Sequence, residues 1–96
     1  MSRDRGTARL TVDQGYGVVC DLACNPVADL IVIDANQEHG IVAHRSSIKS
    51  QPDLPVGTML RILPNHACAT AAQHERYHVV NNGSIVSAIW PRIHGW

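Results

Sequence analysis

Short runs of aliphatic and β-branched residues, each bounded by Gly, Pro, Asn or Asp, set the strongest constraint on how this chain can fold. Such runs are typical of β-strands, and no stretch keeps the apolar period of an α-helix through three turns. Closing the sheet would remove the reactive edges that a small open sheet leaves. We therefore predict a mainly β fold, a small closed or nearly closed β-barrel of about seven short strands. The seven runs are residues 10–12, 17–20, 30–33, 40–43, 58–63, 77–80 and 85–90.

Two local patterns refine this prediction. Asn82-Gly83 separates two of the runs and is typical of a type I′ turn, so a tight hairpin is expected there. Thr70 and Gln73 are spaced as in a capping box, which predicts one short helical turn after a loop that contains His66 and Cys68. A chain of 96 residues can bury one modest core. We expect a flexible polar leader over residues 1–8 and a single domain over residues 9–96.

The charge pattern excludes some classes of partner. The chain has 8 basic and 8 acidic residues, and the arginines are scattered, so no electrostatic footprint for nucleic acid is present. No apolar run is long enough to span a membrane, and no apolar segment follows the N-terminal residues as in a signal peptide. These features predict a cytoplasmic protein that binds neither nucleic acid nor membrane. Three cysteines form an odd set, which does not indicate a disulfide framework.

The segment with the most chemistry is Pro64-Asn65-His66-Ala67-Cys68. An imidazole and a thiolate are donors that zinc and similar ions prefer. In an extended or looping backbone, residues two apart point to the same side, so His66 and Cys68 could reach one ion. The alternatives are a surface histidine beside a small buried cysteine, a four-ligand zinc site that adds Cys20 and Cys24, or a thiol enzyme with Cys68 as nucleophile.

Other residues are candidates to line such a site or support its ligands. His39 precedes a glycine and is either a site residue or part of a turn. His74 is a possible third or second-layer ligand, or a solvated histidine at a helix end. Tyr77 could line the site, with packing as the alternative role, and Tyr16, between two glycines, could line the substrate site or face a partner. Trp90 and Trp96 near the C-terminus predict an exposed apolar patch for a partner or for self-association.

Three segments together carry a family resemblance. They are Glu38-His39-Gly40, residues 56–70 with the Pro-Asn-His-Ala-Cys motif, and the C-terminal residues 90–96, Trp-Pro-Arg-Ile-His-Gly-Trp. The chain resembles the C-terminal domain of the D-threonine aldolase and D-serine dehydratase family. Members are alanine-racemase-like pyridoxal-phosphate enzymes of fold-type III, with an N-terminal barrel and a C-terminal β domain.

The resemblance implies that His66 and Cys68 are ligands of a divalent metal, zinc or manganese, and the cysteine is closer to the dehydratase pattern. In that family the metal is proposed to bind the β-hydroxyl of a D-3-hydroxy amino acid. The cofactor-bearing barrel is not in this sequence, and the one lysine, Lys49, lies in a polar segment unsuited to an aldimine.

The chain is therefore expected to be part of a lyase but inactive by itself, with no catalytic or cofactor-binding residue of its own. Pyridoxal phosphate would come only through an alanine-racemase-like barrel domain or subunit. Metal affinity is expected to be low, and a homo-oligomer is possible. The alternative is a stand-alone β-barrel module for binding or oligomerisation that has lost the chemistry.

Overall fold

The sequence folds into two antiparallel β-sheets and one short helix. The computed structural model describes residues 11–46 and 53–93. The strands are β1 (Gly17–Cys20), β2 (Pro26–Ala35), β3 (Gly40–His44), β4 (Arg61–Pro64), β5 (Arg76–Val79) and β6 (Ala88–Pro91), and the helix α1 (Ala67–Ala72) lies between β4 and β5. A mainly β fold with a single small helix is as predicted. The helix is not long or apolar enough to cross a membrane, and the described residues contain no other.

The larger sheet has the strand order β3-β2-β1-β4. Its central strand β1 pairs with β2, placing Gly17 opposite Val32, and with β4, placing Gly17 opposite Pro64. All neighbours are antiparallel. Val19, Leu30 and Val32, at most 3% exposed, form a core cluster on this sheet, where Cys20, Ile31, Ala35 and Ala43 are also buried. Tyr16, Val27, Val42, Leu54, Leu60 and Ile62 pack against the cluster. The core is aliphatic, because the chain contains no phenylalanine.

The predicted barrel closure is wrong for the part of the chain that the structure describes. Within that part, β3 and β4 are the two edges of the larger sheet, and β5 and β6 pair only with each other in a separate sheet. Closure would require an edge strand to pair with the C-terminal hairpin. β4 is only four residues long and leads within three residues into α1, which leaves little strand on which a partner could pair.

Strand number and boundaries also differ from the prediction. Over residues 11–46 and 53–93, six strands form instead of about seven: residues 11 and 12 of the first predicted run are not in a strand, and residue 10 lies outside the described part. The hairpin exists, but the tight turn was wrong, since Val79 pairs with Ala88 and the connection spans residues 80–87. Gly83 has a φ of +67°, whereas a type I′ turn also needs a positive φ at Asn82, which this structure does not have. The predicted leader, Lys49 and Trp96 all lie outside the described residues.

Arg61 links the two sheets. It lies in β4 opposite Cys20, and its guanidinium donates to the sulfur of Cys24 (3.0 Å) and to the carbonyl of Gly83 in the β5–β6 connection (2.6 Å). Its contacts join the β1–β2 turn, the edge strand and the hairpin connection. The second sheet is thereby attached to the first through side-chain hydrogen bonds.

Candidate metal centre

His66 and Cys68 lie at the start of α1. His66 is the N-cap residue, with extended backbone (φ −126°, ψ 108°), and the helix begins at Ala67. Cys68 is therefore the second helical residue, and the prediction that both residues lie in a loop before the helix was wrong. The capping box failed for the same reason: Thr70 lies inside the helix, and its hydroxyl donates to the carbonyl of His66 (3.4 Å). An i-to-i−4 bond of this kind is common for threonine within a helix.

Because Cys68 is helical, the alternation of side chains along an extended chain does not apply to this pair. An N-cap side chain normally reaches towards the second and third helical residues, where it accepts backbone N–H bonds. His66 makes no such capping bond. Its side chain is half-buried, and the thiol-bearing Cys68 is exposed and not in a disulfide. His66 and Cys68 are therefore the N-cap and the second residue of one short helix, not alternate residues of an extended chain.

Asn65 attaches this segment to the end of the larger sheet. Its side-chain amide donates to the carbonyl of Gly15 (2.6 Å), and its backbone N–H donates to the carbonyl of Tyr16 (3.2 Å). Tyr16 in turn donates its N–H to the carbonyl of Val32 (2.8 Å). Gly15 has a φ of +62°, a conformation that glycine adopts readily. The residue before His66 is thus hydrogen-bonded to the chain entering the central strand β1.

Tyr16 is half-buried and contacts the aliphatic core. Its backbone lies beside the His66 segment through the bond to Asn65. The structure therefore places Tyr16 at the same end of the sheet as the metal candidates, and its contact with the core gives it a packing role.

His39 lies in the turn between β2 and β3. Its backbone carbonyl accepts from the N–H of Asn36 (2.8 Å), and its Nε2 is 3.3 Å from the amide nitrogen of Asn36. This turn is at the same end of the sheet as His66. Its two strands lie two and three positions away from β4, however, which corresponds to about 10–14 Å at the usual strand spacing. The structure thus favours the turn role of His39 over ligation beside His66.

His74 and Tyr77 lie beyond the other end of the helix. Six helical residues extend about 9 Å, so α1 separates His74 from the pair at its start. Tyr77 is 43% exposed on β5, and the guanidinium carbon of Arg92 lies 5.8 Å from its ring centroid. No group of three or more His, Cys, Asp or Glu side chains within residues 11–46 and 53–93 is arranged to hold a metal ion. The structure does not bring either residue to His66 and Cys68.

Cys20 and Cys24 belong to the opposite end of β1. Cys20 is opposite the first residue of β4, whereas His66 and Cys68 follow its last residue, about 10 Å further along the strand. Cys20 is fully buried. Burial, with smaller contributions from the nearby Cys24 and Asp21, raises the pKa of its thiol. A four-ligand site that joins these cysteines to Cys68 does not form.

Asp21 organises the turn that carries Cys24. Its carboxylate accepts from the N–H groups of Asn25 (2.9 Å) and Ala23 (2.9 Å). The bond from the Asn25 backbone is the main reason that the pKa of Asp21 is lowered, with the Asn25 side chain, Ala23 and Arg61 contributing in the same direction. Cys24 has a φ of 66°, within this turn. These bonds show that Asp21 and Cys24 are parts of a structured turn between β1 and β2.

Arg92 was missed by the sequence reasoning. Its side chain donates to the carbonyls of Ala71 and His74 at the C-terminal end of α1. Asn65, which holds the other end, was recognised only as part of a motif. Neither contact has a local sequence signal, because the partners are 21 and 50 residues away along the chain.

The donor chemistry at the start of α1 fits a borderline-soft divalent ion. One imidazole and one accessible thiol supply nitrogen and sulfur, and two protein ligands would leave positions open for water or substrate. The half-buried His66 is held by the preceding Asn65, so one donor has a defined backbone position. The arrangement can supply ligands, and the described residues around it do not form a complete catalytic constellation.

Comparison with known proteins identifies the family. A family model described as "Putative serine dehydratase domain" matches residues 1–80. The D-threo-3-hydroxyaspartate dehydratase of Delftia sp. (strain HT23) is 50% identical over 101 residues, a match that covers 100% of this chain and 26% of that enzyme. The D-serine dehydratase of Saccharomyces cerevisiae is 31% identical over 88 residues, covering 86% of this chain and 21% of the enzyme.

Solved structures agree with these sequence matches. The Delftia dehydratase superposes with a TM-score of 0.83 at 50% identity, covering 100% of this chain and 26% of the solved one. An alanine-racemase-like protein from Idiomarina loihiensis superposes with a TM-score of 0.79 at 48% identity, covering 100% and 25%. Two further structures of D-threo-3-hydroxyaspartate dehydratase carry alanine in place of a histidine and of a cysteine two positions later, the cysteine variant in the metal-free form. The chain spans about a quarter of the length of these relatives. It belongs to the serine dehydratase domain family and corresponds to the C-terminal part of its alanine-racemase-like enzymes.

Proposed function

We propose that this chain is the metal-binding C-terminal domain of a pyridoxal-phosphate-dependent lyase acting on a D-3-hydroxy amino acid, with His66 and Cys68 as the metal ligands. The observation that carries the proposal is the spacing of these two residues. Theirs is the only His-x-Cys in the sequence, and a histidine and a cysteine at the same spacing were replaced in the related dehydratase, the cysteine variant having a structure in the metal-free form. When bound, a divalent metal supplies Lewis acidity, and zinc or manganese is the ion proposed here.

The chain's own part in this function is to place the two donors. The N-cap position of His66 and the first-turn position of Cys68 place them on consecutive parts of one short element. Asn65 fixes that element against the residues that enter β1. His39, His74, Tyr77 and Tyr16 are not assigned as ligands. Of these, Tyr16 is the one whose backbone is directly hydrogen-bonded to the ligand segment.

We also propose that the cofactor is held by an alanine-racemase-like barrel, as a domain or as a separate subunit. The chain corresponds to about a quarter of its relatives, and a β domain without the cofactor lacks the electron sink for elimination. Large apolar side chains are exposed on the second sheet and after it, with Ile89 at 53%, Trp90 at 60% and Ile93 at 96%. Exposed apolar groups of this size are typical of surfaces that a partner covers. The chain by itself is proposed to have no dehydratase or aldolase activity.

A chimera tests the proposal. The chain replaces the matching 26% of the Delftia dehydratase, to which it is 50% identical, and the product is assayed for dehydration of D-threo-3-hydroxyaspartate and D-serine. We expect activity that a chelator abolishes and that zinc or manganese restores. His66→Ala and Cys68→Ala should remove it, whereas Cys24→Ser, at the other exposed cysteine, keeps an acceptor for Arg61, serves as the matched control and should leave it unchanged.

Two results would contradict the proposal. The first is a folded, pyridoxal-loaded chimera whose activity is the same with and without His66 and Cys68. The second is turnover of these amino acids by the 96-residue chain alone with added pyridoxal phosphate, since that would place the chemistry within the chain. A different result would favour a stand-alone binding module. In that case the chain forms a stable oligomer that His66→Ala and Cys68→Ala do not affect, and the chimera has no activity.

A further inference from the structure

The helix that carries Cys68 cannot hold its own position. α1 has six residues, well below the length at which an isolated helix is stable in water. It has no side-chain N-cap bond, no acidic residue in its first turn and no basic residue in its last turn. The position of the Cys68 thiol therefore depends on contacts that residues outside the helix make with its two ends.

Arg92 makes those contacts at the C-terminal end. Its Nη1 donates to the carbonyl of Ala71 and to the carbonyl of His74 (3.0 Å). Its backbone N–H donates to the carbonyl of Glu75 (3.0 Å), and its guanidinium lies over the ring of Tyr77 at 5.8 Å. The last carbonyls of a helix lack intrahelical partners and carry partial negative charge, so a cation is well placed there.

We infer that Arg92 is a positioning residue for the metal site, joining α1 to the β5–β6 hairpin so that Cys68 keeps its orientation relative to His66. The inference rests on the proposed metal role of that pair. Asn65 fixes the start of the helical segment and Arg92 fixes its end, which together restrict rotation and sliding of a one-and-a-half-turn helix. Arg92 does not touch the metal ligands, and it acts through the backbone of the helix.

A neighbouring arginine provides the matched control. Arg76 lies on the same hairpin, paired with Pro91, and both it and its ion-pair partner Glu75 are well exposed (N–O 3.4 Å). Loss of the Arg76 side chain removes the same charge without removing a bond to α1. Arg92→Lys retains the charge but loses the planar fork that can serve several acceptors, so it should restore only part of the effect.

The test uses Co²⁺ as a spectroscopic probe of the full 96-residue chain. Binding of Co²⁺ to a thiolate produces near-ultraviolet charge-transfer absorption, which reports the metal–Cys68 bond without any enzymatic assay. We expect Arg92→Met to weaken Co²⁺ binding about ten- to a hundredfold, the range seen when supporting contacts of a metal site are lost. Arg92→Lys should be intermediate, and Arg76→Met should match the unmodified chain. Urea unfolding of each variant establishes that the protein titrated is folded.

Each outcome is decisive. Arg92→Met that is folded and binds Co²⁺ with unchanged affinity and absorption overturns the positioning role and leaves the metal site standing. At Co²⁺ concentrations high enough to fill a low-affinity site, an unmodified chain with no absorption that depends on Cys68 overturns the site and, with it, the role of Arg92. If Arg92→Met does not fold, Arg92→Lys decides: weaker Co²⁺ binding in that folded variant supports the inference, and unchanged binding overturns it.

Discussion

Gly15 and Gly83 offer a direct test of how the ligand segment is held. Both have nearly the same left-handed backbone, with φ of +62° and +67°. They differ in their surroundings. A Cβ at Gly15 would lie 2.3 Å from the carbonyl oxygen of Val32, whereas a Cβ at Gly83 would meet nothing within 4 Å. Substituting alanine at each therefore separates the effect of the backbone conformation from the effect of the close approach.

The expected magnitudes follow from this difference. At Gly83 the alanine keeps an unfavourable left-handed conformation, about 1–2 kcal/mol, partly offset by a lower entropy of the unfolded chain, about 0.4–1 kcal/mol. A net loss of about 1 kcal/mol is expected. At Gly15 the same net conformational loss applies, and overpacking of the new Cβ against a backbone carbonyl adds about 1–3 kcal/mol. Gly15→Ala should therefore destabilise the chain by about 2–4 kcal/mol.

Urea unfolding followed by circular dichroism measures both values. With a slope of about 1–2 kcal/mol per molar urea, the difference of about 1–3 kcal/mol should place the midpoint of Gly15→Ala about 0.5–3 M below that of Gly83→Ala. Gly57→Ala is a second control, since Gly57 also has a positive φ (+94°) and a Cβ there would meet no atom within 4 Å. Equal midpoints for the variants at positions 15 and 83 would refute the close packing of the Gly15 turn against β2, and with it the rigid base to which Asn65 is bonded.

Three other predictions concern the core, one acid and one thiol. The side chain of Val32 is 1% exposed, so Val32→Ala should lower the free energy of unfolding by about 2–3 kcal/mol. Val56 is fully exposed, so Val56→Ala should change that free energy by no more than about 0.5 kcal/mol. Urea unfolding measures both. The hydroxyl and N–H of Ser46 donate to the carboxylate of Asp29 and lower its pKa. The stabilisation by this carboxylate is therefore complete above the ordinary aspartate pKa of about 3.9 and is lost as the pH falls below it. The urea unfolding midpoints of the unmodified chain and of Asp29→Asn should converge in acid, and a difference that stays constant with pH would contradict this. Iodoacetamide should label the two exposed cysteines of the native chain, and Cys20, buried and with a raised thiol pKa, only after unfolding, as mass spectrometry of peptides can show.

The strands were largely predictable because their composition is a local property. The runs at 17–20, 40–43 and 77–80 all lie in or overlap strands. β2 is longer than its predicted run, extending from Pro26 through Asp29, which has a φ of 62°. Nothing local marks that extension. It is held by a distant segment, since Asp29 accepts from the N–H of Ser46 and its carbonyl accepts from Arg45.

Strand pairing was less predictable than strand position. Composition indicates which segments are extended, but whether β3 or β4 finds a further neighbour depends on contacts distant in sequence. The closed barrel was inferred from the general disadvantage of open edges. In the described residues the edge strand β4 instead ends at Pro64 and leads into the His66 segment. The edge is thus used to position the candidate ligands.

At the candidate site, too, the residue types could be predicted from the local sequence, whereas the start of the helix depends on contacts with distant residues. The spacing of His66 and Cys68 identified the donor pair, but a capping pattern at Thr70 placed the helix too late along the chain. Thr70 and Gln73 match the pattern by residue type, whereas the helix begins where Asn65 is fixed by Gly15 and Tyr16. Tertiary bonds outweighed the local preference, as is common for helices this short.

The exposed hairpin connects the proposed partner to the geometry of the metal site. Tyr77 pairs with Trp90 on one face of β5 and β6, and Ile89 lies on the other; all three side chains are 43–60% exposed. A two-stranded hairpin that buries neither face is marginally stable in water. Arg92, which follows this hairpin, is the residue that holds the C-terminal end of α1. A barrel that covered the hairpin would therefore also stabilise the helix carrying Cys68, because the same strand pair supports both. Assembly and metal binding would then be linked through Arg92.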